Sequence, residues 1–317
     1  MATSTEKLGS STESLTQNGL YFEYTKAADP IGSGKISRVP YAEFGAALHE
    51  SGATRIIPLD LSKELNVSVP ATSPALCANF VRILASEEIT TKPNATSQLI
   101  YVLRGEGVTI FDGTTIPWAA GDFLALPSGS GALHKARKES AFYLIHDEPL
   151  LHYLGATATE QRFKPTLYKA ADSLAELSKV ENEAESVNRS RVSVLLANKA
   201  MDQTLTITHT LWAMLGVLLP GTVQLPHRHE SVALDLILDC QPGCYSLVGK
   251  KLGPDKKIID PKRIDWKPYS VFVTPPGEWH AHFNESSEKA HLVPLQDAGL
   301  QTYLRTLDIQ FVLPDNK

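Results

Sequence analysis

The chain repeats itself, and the repeat limits what it can fold into. Ile116-Pro-Trp118-Ala-Ala-Gly121-Asp-Phe-Leu-Ala-Leu-Pro127-Ser-Gly129 matches Ile264-Asp-Trp266-Lys-Pro-Tyr269-Ser-Val-Phe-Val-Thr-Pro275-Pro-Gly277 at one fixed offset of 148 residues. His134 falls on His282 at the same offset. Further on, Asp147, Leu150, Tyr153 and Leu154 match Asp297, Leu300, Tyr303 and Leu304 at an offset of 150. Upstream, Pro93 pairs with Pro226, so the second copy carries an insertion, which we place at residues 251–263. The chain is two copies of one fold, and 317 residues are enough for each copy to bury a core of its own.

Each copy reads as short strands punctuated by turns. Residues 99–103 are apolar and β-prone, Gly105-Glu-Gly107 turns, residues 108–111 continue, and Asp112-Gly113 signals a hairpin. Trp118 and the apolar run after it supply the next strand. In the second copy residues 211–219, 232–238, 245–248 and 271–274 play similar parts. Many short antiparallel strands around one core make an all-β class, a sandwich or jelly-roll barrel. Twenty Gly and 20 Pro suit so turn-rich an architecture. Residues 172–186 have helical spacing, with Leu174, Leu177 and Val180 on one face. The expected order is a mobile N-terminal arm (1–40), a first barrel (41–165), a helical linker (166–200) and a second barrel (201–317).

A formal charge of −5 without a basic stripe argues against nucleic acid or an anionic membrane as partner. The apolar run 211–220 is far too short to span a bilayer. The polar, Ser/Thr-rich start lacks the apolar core of a secretory signal. Cys77, Cys240 and Cys244 are odd in number and lack metal-finger spacing, so a reducing, cytoplasmic setting is expected. The sequons at Asn94, Asn188 and Asn284 carry little weight without a signal peptide.

The chemistry concentrates in the second copy. His227 and His229 are two apart, so on a strand both point to one face. A third His from a distant strand, such as His280, would complete a nitrogen-rich site with open positions. Such a site suits iron, manganese, zinc, nickel or copper. His282 shares a face with His280 and is either a further ligand, a neighbour facing substrate, or structural. Asp235 points into or out of the barrel according to register. Glu230 is a solvated carboxylate or one that orients the His pair.

Gly221, His227 and His229, with Pro275, Gly277, His280 and Asn284, resemble the two signature motifs of the cupin superfamily. That resemblance implies two tandem jelly-roll barrels with a few peripheral helices. Two positions depart from it: the motif's Glu falls at Ala233 or Leu234, and its second Gly is Tyr269. The implied site is therefore three histidines without a carboxylate. In the first copy the position of His280 is Ala132, and those of His227 and His229 lie near Asn94 and Thr96, so that barrel is expected to be structural.

The run from Leu211 to His229, with Ala233-Leu234 and Trp279-His280-Ala-His282, is similar to the gentisate/salicylate-type ring-cleaving dioxygenases. In that family three histidines hold Fe(II), and a small organic substrate and O2 react there. The resemblance implies Fe(II) on His227, His229 and His280, with Mn, Zn or Ni as alternatives; His282 and Asp235 are the candidate catalytic residues of this chain. Two differences stand out. The family's metal-bearing barrel comes first, here it is second; and its Arg after Ala-Leu is here Asp235, which would repel a substrate carboxylate. A small phenolic or hydroxylated substrate is expected. A non-catalytic binding module, or a Mn/Zn hydrolase or isomerase, is the alternative. By analogy the protein is a homo-oligomer, a dimer or tetramer.

Overall fold

Cys77–Ile83 and Ser140–His146 are buried at every position, and this explains why their sequences are apolar runs rather than alternations. Both faces of the sheet that holds them are covered. The computed structural model describes residues 15–184 and 191–313. The first 14 residues of the expected arm, residues 185–190 of the linker with the Asn188 sequon, and residues 314–317 lie outside the described residues.

In the first copy a six-stranded antiparallel sheet runs Thr166–Tyr168, Phe123–Pro127, Ser97–Arg104, Ser140–His146, Cys77–Ile83, Arg55–Pro58. A four-stranded sheet runs Glu88–Thr91, Ala132–Ala136, Glu106–Phe111, Thr114–Ala119. In the second copy the larger sheet runs Glu43–Phe44, Val271–Thr274, Ala233–Asp239, Ala290–Gln296, Trp212–Leu218, Val192–Leu196. Its five-stranded partner runs Lys262–Asp265, Cys244–Gly249, Trp279–Asn284, Thr222–His229, Ile309–Phe311. These are two jelly-roll barrels, each a pair of sheets closed over a core.

Three apolar clusters fill the spaces. Phe111, Trp118, Leu126 and Phe142 pack inside the first barrel, and Val248, Trp266, Phe272 and Leu292 inside the second. The alternate residues of the two six-stranded sheets, among them Phe80, Tyr143, Leu215, Leu234 and Val293, form one further cluster between the barrels. Each six-stranded sheet is therefore shared between its barrel and the interface.

The barrels also trade edge strands. Glu43–Phe44, at the start of the stretch expected as the first barrel, pairs with Val271–Thr274 of the second. Thr166–Tyr168, on the way to the second barrel, pairs with Phe123–Pro127 of the first. The segment expected as a helical linker holds the helix Ala170–Glu181, with Leu177 buried, between strands that belong to the two barrels. In residues 15–38, which form a unit of their own, the helix Tyr24–Ala27 is capped by the Glu23 carboxylate and buries none of its side chains.

The repeat explains its own exceptions. Asp112 and Gly113, at φ 44° and 78°, make the tight hairpin expected of that pair, whereas residues 250–261 replace it in the second copy. Gly121 sits at φ 87°, and its counterpart Tyr269 holds the same left-handed region at φ 57°. The turn is retained although the residue that adopts it without strain is not.

Candidate metal centre

His227 and His229 stand on strand Thr222–His229, and His280 stands directly opposite His227 on Trp279–Asn284. Gln224 faces His282 and His227 faces His280, three steps on one strand against two on the other. A bulge at Leu225 and Pro226 absorbs the extra residue, so Gln224 and both histidines all point inward. One ring nitrogen from each of His227, His229 and His280 lies within 4.8 Å of the others, and all three residues are buried. The Gly277 N–H donates to the His229 carbonyl at 2.8 Å, tying the second motif to the first.

The tautomers are set by the backbone. Nδ1 of His227 lies 3.2 Å from the Leu225 carbonyl, Nδ1 of His229 2.9 Å from that of Ser231, and Nδ1 of His280 3.0 Å from that of Glu278. A carbonyl only accepts, so each Nδ1 carries the proton and each Nε2 keeps its lone pair. Burial first, then the crowding of the imidazoles on one another and Arg191, hold His227 and His280 well below the usual imidazole range, and burial brings His229 down to about 4. All three are neutral near pH 7, the form that binds metal. Fixed tautomers, neutral rings and a common focus fit a divalent metal.

Two side chains already turn donors toward that focus. Arg191 places Nη2 3.1 Å from His227 Nε2 and Nη1 3.3 Å from Met214 Sδ. In the amide orientation that satisfies its hydrogen bonds, the Gln224 oxygen accepts from Arg191 Nε at 2.8 Å and Nη2 at 3.2 Å. Gln296 approaches His229 Nε2 at 3.3 Å. The sequence gives no sign of Arg191, a lone Arg ahead of an apolar strand in the linker. It reaches the site only because Val192–Leu196 joins the second barrel's sheet. Beside it lies a cavity of about 140 Å³ walled by Arg191, Gln224, Trp266, His282 and Leu292. A dry cavity of roughly 150 Å³ holds a benzene ring, so this one takes a single ring.

His282 stands apart from the three. It is not one of the group whose ring nitrogens share a focus, although its ring centre, 5.8 Å from that of His227 and 5.7 Å from that of His280, is no farther off than the 6.1 Å between His227 and His229. Its Nδ1 meets Ser246 Oγ at 2.7 Å, and Ser246 Oγ accepts the Trp266 indole N–H at 2.8 Å. The first barrel repeats this chain: Trp118 donates to Thr109 Oγ1 at 3.0 Å, which meets His134 Nδ1 at 2.8 Å. There Thr91 Oγ1 also occupies His134 Nε2, at 3.0 Å. The His282 ring is thus held by a brace of the duplicated fold, with its free edge on the cavity.

Asp235 faces the interior of the second barrel. Leu234 and Leu236 belong to the cluster between the barrels, whereas Ile237, on the other face with Asp235, belongs to the barrel's own core. Its carboxylate accepts from Thr274 Oγ1 at 3.3 Å. Burial raises its pKa to about 6 against the opposing pull of Arg191. Ala233 and Leu234, where a fourth ligand was expected and missing, add no oxygen. Glu230 is exposed. Among the described residues the trio is the one group of His, Cys, Asp or Glu with ligand spacing. In the first barrel the Asn94 amide donates to the Ala156 carbonyl and the Thr96 hydroxyl to the Asp147 carboxylate. The three cysteines are free, and no helix among the described residues is long and apolar enough to cross a membrane.

No family model matches the chain. It is 30% identical over 95 residues to gentisate 1,2-dioxygenase 1 of Aquipseudomonas alcaligenes, which is 30% of this chain and 24% of that protein. It is 33% identical over 129 residues to 5-aminosalicylate 1,2-dioxygenase of Comamonas sp, 38% of this chain and 34% of the relative. The matched stretches thus span about a quarter and a third of these relatives. The salicylate 1,2-dioxygenase structure of Pseudaminobacter salicylatoxidans superposes with a TM-score of 0.72 over 98% of this chain and 99% of its own, at 13% identity. A cupin 2 conserved barrel domain protein of Leptotrichia buccalis gives 0.51 over 82% of this chain and 97% of its own, at 16% identity. The chain has the two-barrel cupin fold, and it resembles the salicylate- and gentisate-type dioxygenases.

Proposed function

We propose that the protein is a non-haem Fe(II) dioxygenase acting on a small phenolic or hydroxylated organic substrate. His227, His229 and His280 hold the metal through Nε2. The observation that carries this reading is three buried, neutral imidazoles with backbone-fixed tautomers, joined through Arg191, which lies against His227, to a cavity the size of one ring. Iron bound there would supply the redox chemistry that couples an organic substrate to O2. The chain supplies the rest. Trp266 and Leu292 wall the ring's space, and His282, fixed by Ser246, turns one edge into it. Arg191, which walls the cavity, and Asp235, on the same interior, are of opposite charge and offset each other. Asp235, near 6, exchanges its proton close to neutrality, as a group accepting a phenolic proton must.

The test is anaerobic reconstitution with Fe(II), metal analysis, and O2 uptake against a panel of phenols and hydroxy-acids. The expected result is one iron per chain and substrate-dependent O2 consumption. His227→Ala with His229→Ala abolishes metal retention; unchanged metal content would refute the ligand assignment. Iron retained without O2 uptake on any substrate would favour a non-catalytic binding module, and activity with Mn or Zn alone a hydrolase or isomerase.

A further inference from the structure

The first barrel lacks the three imidazoles but keeps a space of its own. A cleft of about 230 Å³ is lined from strands Arg55–Pro58, Cys77–Ile83 and Ser140–His146 and from the chain leaving Glu88–Thr91. Three of its walls fall on walls of the cavity beside Arg191. Leu144 matches Pro294 at the offset of 150 that aligns Asp147 with Asp297. Thr91 matches Gln224 through the pairing of Pro93 with Pro226. Ile56 matches Ser193 through the ladders: Ile56 lies across from Val81 and that from Phe142, as Ser193 lies across from Gly216 and that from Leu292. His146 takes the place of Gln296, the neighbour of His229. The first barrel thus opens at the end where the second gathers its histidines.

The floor is buried and polar, and it has acceptors to spare. The Asn79 amide donates to the Cys77 carbonyl at 3.3 Å and approaches His146 Nε2 at 3.3 Å. Burial brings His146 down to about 4, so its ring is neutral near pH 7. One Glu148 oxygen accepts the Asn94 N–H at 3.2 Å. The other comes no nearer than 3.9 Å to His146 Nδ1 and meets no hydrogen-bond donor among the described residues. Gln98 lies across from His146 on the next strand, facing the same interior, and its buried amide oxygen has no partner among the described residues. Buried acceptors without donors are rare in folded chains. The rim is apolar at Ile56, Pro58 and Pro93, and Lys92 stands there opposite in charge to Glu148.

We infer that this cleft is a second ligand site, separate from the metal centre, for a neutral hydroxylated aromatic whose hydroxyl donates to Glu148. Its rings lie against Ile56, Pro93 and Leu144. A cavity of roughly 150 Å³ holds one benzene ring. The first-barrel cleft therefore admits a fused pair of rings, which the cavity of about 140 Å³ beside Arg191 does not. The duplicated fold carries a pocket in each copy, and the two select by size.

The probe is 2-naphthol, titrated into the full chain and followed by its own fluorescence. One site per chain is expected, with 2-methoxynaphthalene, which has no hydroxyl to donate, bound roughly tenfold more weakly. Ile56→Trp closes the cleft from the sheet edge and abolishes the signal. Glu148→Leu weakens binding roughly tenfold, as loss of a charge-assisted contact should. Ser193→Trp, the equivalent change in the second barrel, leaves it intact. No binding of 2-naphthol, equal affinity for the methyl ether, or full affinity in a folded Ile56→Trp protein would each overturn the inference. Loss of binding in a folded Ser193→Trp protein would do the same, since it would put the probe in the other barrel. Should Ile56→Trp fail to fold, Glu148→Leu still decides: undiminished affinity there would also overturn it.

Discussion

At the scale of single residues, orientation matters as much as identity. The trio works as a candidate centre because three backbone carbonyls each claim one Nδ1 proton, leaving three lone pairs on one focus. His282 has a different tie. Its brace through Ser246 to Trp266 recurs as His134, Thr109 and Trp118 in a barrel without the trio, which marks it as a packing device retained by both copies. Removing the hydroxyl strands two buried groups, so Ser246→Ala and Thr109→Val should each cost about 2–4 kcal/mol in urea unfolding. A full-strength effect at Thr109 with none at Ser246 would mean that His282 is not braced in this way. The pairing of His227, His229 and His280 was readable in the sequence, because period-two alternation and motif spacing are local. Arg191 was not, since its place depends on which sheet the following strand joins.

Among elements, the exchange of edge strands is the feature that spacing could not reveal. Residues 41–44 were grouped with the first barrel, yet Glu43–Phe44 pairs with Val271–Thr274 and the Val273 N–H donates to the Ala42 carbonyl at 2.9 Å. Two-residue strands carry no periodicity to read. The hairpin at Asp112-Gly113 and most central strands were legible, because turn chemistry and apolar runs are written in the chain itself. Replacing Phe44 by Pro removes the N–H of a ladder position. It should uncover the Val271–Thr274 edge, raising amide exchange at Val271 and Val273 above that of Leu234 and Leu236 in the same sheet. Equal protection in the variant and the parent would show that the exchanged strand contributes nothing to that edge.

For the whole molecule, the cluster between the six-stranded sheets makes the two barrels one unit. Leu234 is fully buried there with Tyr143 of the other barrel in the same cluster. Leu234→Ala should lower stability by about 3 kcal/mol, and probes in both barrels should still report one coincident transition. Separate transitions would refute the single unit. The titratable interior gives a second global expectation. His49, His134, His146, His209, His227, His229, His280 and His282 are all shifted down, mainly by burial. A depressed folded pKa means that the unfolded chain takes up protons first as pH falls below about 6.5. Three aspartates, Asp147, Asp235 and Asp297, are shifted up and act in the opposite sense. Eight groups outweigh three, so metal-free protein should lose stability steadily from pH 6.5 toward 4. A thermal midpoint that is flat or rising over that range would contradict the count.

The sequence by itself determined the duplication, the all-β class and the three imidazoles. These rest on local signals: a fixed offset, strand alternation, turn residues and motif spacing. Only the tertiary structure decided what surrounds them. It brought Arg191 to His227, turned Asp235 inward, braced His282 as it braces His134, and opened a cavity of different size in each barrel. The physical reason is that contacts between distant strands depend on sheet order and register, which no stretch of the chain encodes alone.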